Sequence, residues 1–566
     1  MTHPLLTVNN RRNHIIQLAA RKALELPVLP SGFWFHSDVR DNYYYAIHLY
    51  AYCTDTQASS ELTQEQRRDG LQMAVEMIRR VIRLQVQDSG HPMYGHWPLN
   101  LGTDPDNAQP NGLPVELMGC LLLLFYHQYQ NTLPVELKSE LNLCFVHIYH
   151  SRVHRLPLEQ IHHHEAKHTA LKLLLGHQFD DQELLEQGIR CAKQQLHHIR
   201  KFGFKEYGAL PWHWHWIQAF TCVWEMVEQP EARVVTGDML ETLWQLRAQY
   251  YLRGTWVGAQ SRQWPHDGPK DNNTLLDYIQ FGDFPMPEQI ARLEGAGLYT
   301  YEISKEVRRI GTDRTNAVEV KRLIRFAGAD EVVKEEAHTH AYIAPDYAVG
   351  GIWERREEFD NEQQRWDVTL PLTNPSAKDG VNQAFFFHPG ARYQPGDDRH
   401  ASNTGEVLLH KDAVIQLWEL SSADQETAYP ALVGCLPKGD WHFTKRSGYG
   451  QVGGVYLVFH SMNDFTVEEK GDRLSVLCPF QAGKNGIVIE AMPANEAEQL
   501  GGVSTAAFAA MRKEQRAGFA EEEAAGTLKL AAQYVTRRGD VLELNTAKKA
   551  SVNGKPIAWE EYTISG

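Results

Sequence analysis

The hydrophobic spacing of this chain changes once, and that change confines it to a two-part fold. Up to about residue 283, segments such as "LQMAVEMIRRVIRLQV", "PVELMGCLLLLFYHQYQ", "KHTALKLLLGHQF", "DDQELLEQGIRCAKQQLHHIRKFG" and "GDMLETLWQLRAQYYL" place apolar residues three and four apart, as helices do. Asp180 and Asp181 ahead of "QELLEQGI" predict an N-cap, and Gly203 after "HHIRKF" predicts a C-cap. Past about residue 330 the chain breaks into short β-rich runs, among them "RWDVTLPL", "QAFFFHPG", "DAVIQLWEL" and "GGVYLVFHSM", bounded by Gly, Pro, Asn and Asp. "AAFAAMRKEQRAGFAEEEAAG" reads as one surface helix among them, and "VNGK" as a tight hairpin turn. The expectation is a multidomain α+β protein, with a bundle or toroid of helical hairpins over residues 1–325 and an antiparallel β-sandwich over residues 326–566.

A length of 566 residues agrees with two large units. The formal net charge of −15 speaks against a nucleic acid or an anionic membrane as partner, because both reward a basic face. An acidic sugar polymer held by a local group of Arg and Lys remains compatible with it. The N-terminus lacks the apolar core of a signal peptide, and no apolar run is long enough for a bilayer. The seven cysteines (Cys53, Cys120, Cys144, Cys191, Cys222, Cys435 and Cys478) are scattered and odd in number, as free thiols of a reducing cytoplasm would be. A cytoplasmic location is expected, with a trimmed secreted protein as the other option. Nothing in the sequence sets the oligomeric state, a homo-oligomer included.

Four stretches between the helical segments hold more polar and aromatic residues than packing requires. The first, "GFWFHSDVRDNYYYAI", offers Arg40, Asp41 and Asn42, and the second, around residues 89–119, offers His96, Trp97, Asn111 and Glu116. The third, "QIHHHEAKHTALK", holds His162, His163, His164, Glu165, Lys167 and His168. The fourth begins at "KEYGALPWHWHWIQAF" with Tyr207, Trp212, His213, Trp214, His215 and Trp216, and continues to Ser261, Arg262, Trp264, His266 and Asp267. The alternation of indole and imidazole reads as a connection between helices. Hairpin loops gather at one rim, and aromatic rings in a cleft suit the apolar C–H faces of sugars. On this reading Trp212, Trp214 and Trp216 include platforms, and His213 or His215 turns towards the reacting group.

"HEAKH", His164 to His168, also fits the HExxH pattern of zinc peptidases. The extended metzincin pattern does not follow it, although Glu183 or Glu186 could stand as a third ligand. The sugar-like loops and the order of helices before strands argue against a peptidase, and no catalytic metal is expected.

"KHTALKLLLGHQFDDQELLEQGIRCAKQQLHHIRKFGFKEYGALPW", "GAQSRQWPHD", "YIAPDYAVGG" and "GIVIEAM" resemble, in order along the chain, the heparinase II/III-like proteins and related alginate and chondroitin lyases. The resemblance implies an (α/α) toroid joined to an antiparallel β-sandwich, and β-elimination on a uronic-acid glycan with no required cofactor. It aligns His168 with the family's Asn-His histidine, Tyr207 with its loop tyrosine and Arg262 with the arginine of its Ser-Arg loop. Lys167 replaces the family's asparagine, and "WHWHW" is an insertion through which His213 could have taken over proton transfer. His168, Tyr207, His213 and Arg262 are therefore the expected catalytic set. Arg40, Asn42, Trp97, Asn111, Glu116, Lys167, Trp212, His215, Trp264, His266, His340 and His400 are expected to bind an acidic oligo- or polysaccharide. Some members of the family carry a structural metal in the sandwich, for which His388, His400 and His410 are the candidates. The alternatives are a glycoside hydrolase on the same scaffold, drawing a carboxylate pair from Asp41, Glu116, Glu206 and Asp267, and a uronate C5-epimerase.

Overall fold

The computed structural model describes residues 6–261, 274–288, 290, 292–355, 363–391, 393–396, 398, 400–502, 504–512, 517–524 and 527–564. Among the described residues, nine long helices occupy the first half: α1 (Val8–Glu25), α2 (Val39–Thr54), α3 (Gln64–Arg83), α4 (Pro114–Tyr129), α5 (Val135–His150), α6 (His163–Gln178), α7 (Gln182–Phe202), α8 (Leu210–Met226) and α9 (Pro230–Gln249). They alternate between an inner and an outer ring. The inner helices α2, α4, α6 and α8 are buried along most of their length, whereas α3 and α7 bury one stripe each. Of these, α4 and α8 are the most apolar segments of the half, as enclosed helices require. The predicted caps are present: the Asp181 side chain accepts from the Leu184 amide at 3.0 Å, and Gly203 ends α7 at φ +85°.

The first turns of α4, α6 and α8 meet at one end of the toroid, as the contacts of Glu116, His163 and Trp212 demonstrate. The last turns of α4 and α8 meet at the other end, where Gln128 and Tyr129 line a cavity with Trp224 and Glu225. The inner helices therefore run in the same direction and present their N-termini to a common rim. "WHWHW" is not a connection. It is the first turn and a half of α8, which begins at Leu210 with Pro211 in its opening turn, where a missing amide hydrogen costs nothing.

The helical half closes with Lys305–Thr312, and the strand Val318–Phe326 already belongs to the sandwich, upstream of the boundary read from the sequence. An eight-stranded antiparallel sheet runs in the spatial order 466–469, 474–479, 431–436, 383–387, 366–369, 348–352, 335–343, 318–326. A six-stranded sheet, ordered 406–410, 413–419, 484–493, 455–461, 447–452, 440–443, shares with it a core that includes Val368, Phe385, Ile415, Leu457 and Ile487. A five-stranded C-terminal sheet adds Leu530, Tyr534 and Leu542 to that core. The helix Thr505–Arg512 stands where the sequence placed one, and the segment 518–524 after it is a strand. Among the described residues, no helix is long and apolar enough to cross a membrane.

The halves are joined by backbone and buried side chains. Gln260 and Ser261 pair antiparallel with Gln364 and Gln363. The Asp367 carboxylate accepts from Gln260 Nε2 at 2.7 Å and from the Gly258 amide at 3.3 Å, and burial pushes its pKa up to about 7. Tyr250 Oη lies 2.7 Å from Thr339 Oγ1 across the same seam.

Helices α6 and α7 approach so closely that a β-carbon on Gly176 would lie 2.7 Å from the Leu185 amide nitrogen and 2.9 Å from its Cα. Because backbone cannot yield as a flexible side chain can, Gly176→Val should cost about 1–3 kcal/mol. A denaturation midpoint equal to that of the unmodified protein would show that the two helices have room to separate.

Candidate active site at the rim of the inner helices

Each inner helix delivers functional groups from its opening turns. On α6, His164, Lys167 and His168 share one face through their three- and four-residue spacing. All three grip Glu116 of α4: His164 Nδ1 lies 2.9 Å from both carboxylate oxygens, Lys167 Nζ 2.5 Å from Oε2 and His168 Nε2 3.1 Å from Oε1. Burial alone would raise the Glu116 carboxyl, but the hydrogen bonds from His164 and His168 and the Lys167 charge hold it well below the usual carboxylate range.

Glu165, the would-be base of the HExxH pattern, faces away from this group. Its carboxylate accepts from the amides of Glu159 at 2.8 Å, Gln160 at 3.0 Å and Ile161 at 2.5 Å. It fixes the turn leading into α6, and Ile161 takes φ +54° within it. Among the described residues no group of three or more His, Cys, Asp or Glu is placed to hold a metal ion.

The next face of α6 carries His163. Its Nδ1 is 2.6 Å from Glu206 Oε1, and Glu206 Oε2 accepts from Trp216 Nε1 at 2.7 Å. The Trp212 indole stacks on the His163 ring at 4.6 Å and 11°. Burial, reinforced by Lys167 and the surrounding imidazoles, drives the His163 pKa far down, so the ring is neutral at physiological pH. One turn along α8, His215 Nε2 lies 3.6 Å from Glu294 Oε1, and burial together with the Lys167 charge lowers its pKa to about 4. Glu294, at φ +45°, also accepts from Gln218. Burial would raise its carboxyl, yet His215 and Gln218 bring it below the ordinary value.

At the start of α2, Asp38 caps the helix and chelates Arg40, with Arg40 Nε 3.0 Å from Oδ1 and Nη2 2.6 Å from Oδ2. Asp41 beside them is pushed up to about 6 by burial first, then by the Asp38 charge, with Glu294 adding to it. Side-chain exposures of 27% for Arg40, 33% for His164, 17% for His215 and 15% for Glu294 open these groups to the rim. Glu116 and Glu206, at 6% and 4%, lie beneath them.

The helix divides "WHWHW" in a way the alternation concealed. Trp212 and His215, three apart, face the rim. His213 points into the core, where Nε2 meets the Leu243 carbonyl at 3.1 Å and burial lowers its pKa to about 3. Trp214 packs on Trp244, and Trp216 anchors Glu206.

Tyr207 is likewise absent from the rim. Its ring sits edge-on to Tyr250 and Trp256, its hydroxyl is packed against Gly258 in the seam, and burial raises its pKa well above the ordinary value. Trp97 is fully buried and donates to the Val81 carbonyl at 2.9 Å, so it is core and not platform. Asn42 spends its side chain on the backbone of Trp34 and Phe35, and Asn111 Oδ1 accepts from the Leu113 amide at 2.9 Å ahead of α4. His96 lies close enough to feel Glu116 and His168, and burial lowers its pKa.

In the sandwich, His340 is buried with Nδ1 3.3 Å from Tyr562 Oη, and His400 is buried as well. His388 is held between Ser402 and the Tyr429 carbonyl, and His410 by Asp540, so these two address different partners. Arg262, Trp264, His266 and Asp267 lie outside the described residues. Two groups at the rim were missed by sequence reasoning. Asp38 carries only the signature of a helix cap, and Glu294 sits in "RLEGAGLY" with no motif around it; the returning chain alone brings it to His215.

No family model matches the sequence, and no curated protein matches it. Among solved structures the chain is similar to a GH127 β-arabinofuranosidase at 8% identity, over 97% of this chain and 85% of that one, with a TM-score of 0.29. That likeness is too slight to bear on activity.

Glu116→Gln would leave Lys167 and two imidazoles without their buried carboxylate. Removing one partner of such a group costs about 3–5 kcal/mol. A depressed pKa contributes stability above the unfolded carboxyl value, about 4.3, and the contribution shrinks as the pH falls below it. Urea denaturation should therefore find a wide gap between the two proteins at neutral pH that narrows in acid. A gap independent of pH would mean that the loss is one of packing and not of charge.

Proposed function

We propose that this protein is a glycan-cleaving enzyme of the glycoside hydrolase type, with Asp41 as proton donor and Glu294 as the ionised carboxylate. One observation carries the reading: two carboxyls have opposite environments, burial and the Asp38 charge, with Glu294 adding to them, pushing Asp41 up to about 6, while His215 and Gln218 bring Glu294 below its ordinary value. Such a split assigns an acid and a base. Asp41 would protonate the glycosidic oxygen while Glu294, steadied by His215 and Gln218, takes the proton of an attacking water. Trp212, backed by His163, would stack on a sugar face. Arg40 is clamped by Asp38 and supplies a fixed cation for an acidic substituent or hydroxyl.

β-Elimination is the second reading, and the neutral His215 imidazole close to the Arg40 charge favours it. In that case His215 removes the C5 proton and Arg40 neutralises the uronate, because Tyr207 and His213 are in the interior.

A panel of neutral and uronic-acid oligosaccharides in ¹⁸O-water separates the two. Hydrolysis leaves a saturated new reducing end with incorporation of solvent oxygen; an unsaturated, ultraviolet-absorbing product overturns the hydrolase assignment. Asp41→Asn and Glu294→Gln should each lower kcat by about 10²- to 10⁴-fold, whereas Trp212→Ala should chiefly raise KM. Because the donor must carry its proton, kcat/KM should fall as the pH rises through about 6. The same raised pKa means that folding stability from Asp41 is full in acid and lost as the pH rises through that value. Asp41→Asn should thus unfold at a higher temperature than the unmodified protein at neutral pH.

A further inference from the structure

We infer that the outer face of the six-stranded sheet carries a second, non-catalytic site for an acidic oligosaccharide. A groove of about 1220 Å³ lies there, between the 444–447 turn and the helix Thr505–Arg512. That volume exceeds the roughly 300–1,000 Å³ of a pocket for one small molecule, so it suits several linked units.

Its floor is a row of rings laid across three adjacent strands. The His442 ring lies 6.4 Å from Tyr449, and Tyr449 lies 6.2 Å from His460. Register explains the row: His442 pairs with Tyr449, and Ser447 pairs with His460, so their side chains share one face of the sheet. Ser447 Oγ lies 2.9 Å from His460 Nδ1 and adds a hydroxyl to that floor. The opposite wall is small and apolar where Ala509 of the helix faces the groove. Tyr449 and His460 are buried beneath the groove, and His442 is the ring of the row that is exposed to a ligand.

Charge selects the kind of unit. Among the described residues, two cations line the groove, Lys445 and Arg446, against one acid, Asp464, which Arg446 meets at 2.7 Å, with the imidazoles of His442 and His460 beside them. In a chain of net charge −15 this is a local reversal of sign, and reversal at a groove favours an anion. The ligand class rests on the reading of the helical half as glycan-active; the place rests on the groove alone.

The test is calorimetric titration of the full chain carrying Asp41→Asn, with oligogalacturonate as probe and a cello-oligosaccharide of equal length as the neutral control. Oligogalacturonate should bind, and its affinity should drop about tenfold or more in Lys445→Ala/Arg446→Ala and weaken steadily with added salt. Both substituted side chains are exposed, so Lys445→Ala/Arg446→Ala in the chain that retains Asp41 should keep its unfolding midpoint and its turnover of short substrates. Unchanged affinity in the double variant, equal binding of the neutral control, or no binding of oligogalacturonate overturns the inference. Groove-dependent binding in a protein that turns over no glycoside would sink the hydrolase reading and leave this site standing. Turnover without groove-dependent binding would do the reverse.

Discussion

The rim depends on one buried carboxylate. Glu116 collects two imidazoles and an ammonium from a single face of α6, and this grip sets the rotation of α6 about its own axis relative to α4. Once that rotation is fixed, His163 must point to the adjacent sector, where Glu206 and Trp212 receive it. The Lys167 charge then acts outward as well as downward, helping to keep both His163 and His215 neutral. A carboxylate that neither donates nor receives a proton in the proposed reaction thus governs the protonation of the groups nearby.

Much of the architecture was legible because outer helices and sandwich strands must advertise their buried side. α7 gave its period and both caps away, and the strands gave away their turns. In the inner ring α4 and α6 were legible as helices but α8 was not, for a physical reason. A helix enclosed on every side has no polar stripe, so nothing in α8 marks a repeat of three to four residues. "WHWHW" alternates by coincidence of two sectors, the rim taking Trp212 and His215 while the core takes His213 and Trp214. Polarity in such a helix reports hydrogen-bond partners, not solvent.

The same logic separates Glu206 from Tyr207. The resemblance placed weight on the tyrosine, but in the structure its carboxylate neighbour supports the imidazole at the rim while the phenol turns into the seam. Adjacent residues diverge here because the chain enters α8 through a sharp turn, with Gly208 at φ +81°. Glu294 was beyond reach of any local reading. It lies on irregular chain that returns across the toroid, and position there is decided by closure of the ring.

The antiparallel pairing of Gln260–Ser261 with Gln363–Gln364 has a bearing on how such a protein could have been assembled. Two units joined only by a linker can be separated, shuffled or replaced. Here each unit contributes a strand that the other completes, and Asp367 of the sandwich is solvated by the amides of the helical half. A gene cut after the last toroid helix would release a sandwich with an exposed acid and a toroid with frayed backbone. The two halves therefore complete each other, and a substitution on one side of the seam is felt by a partner on the other.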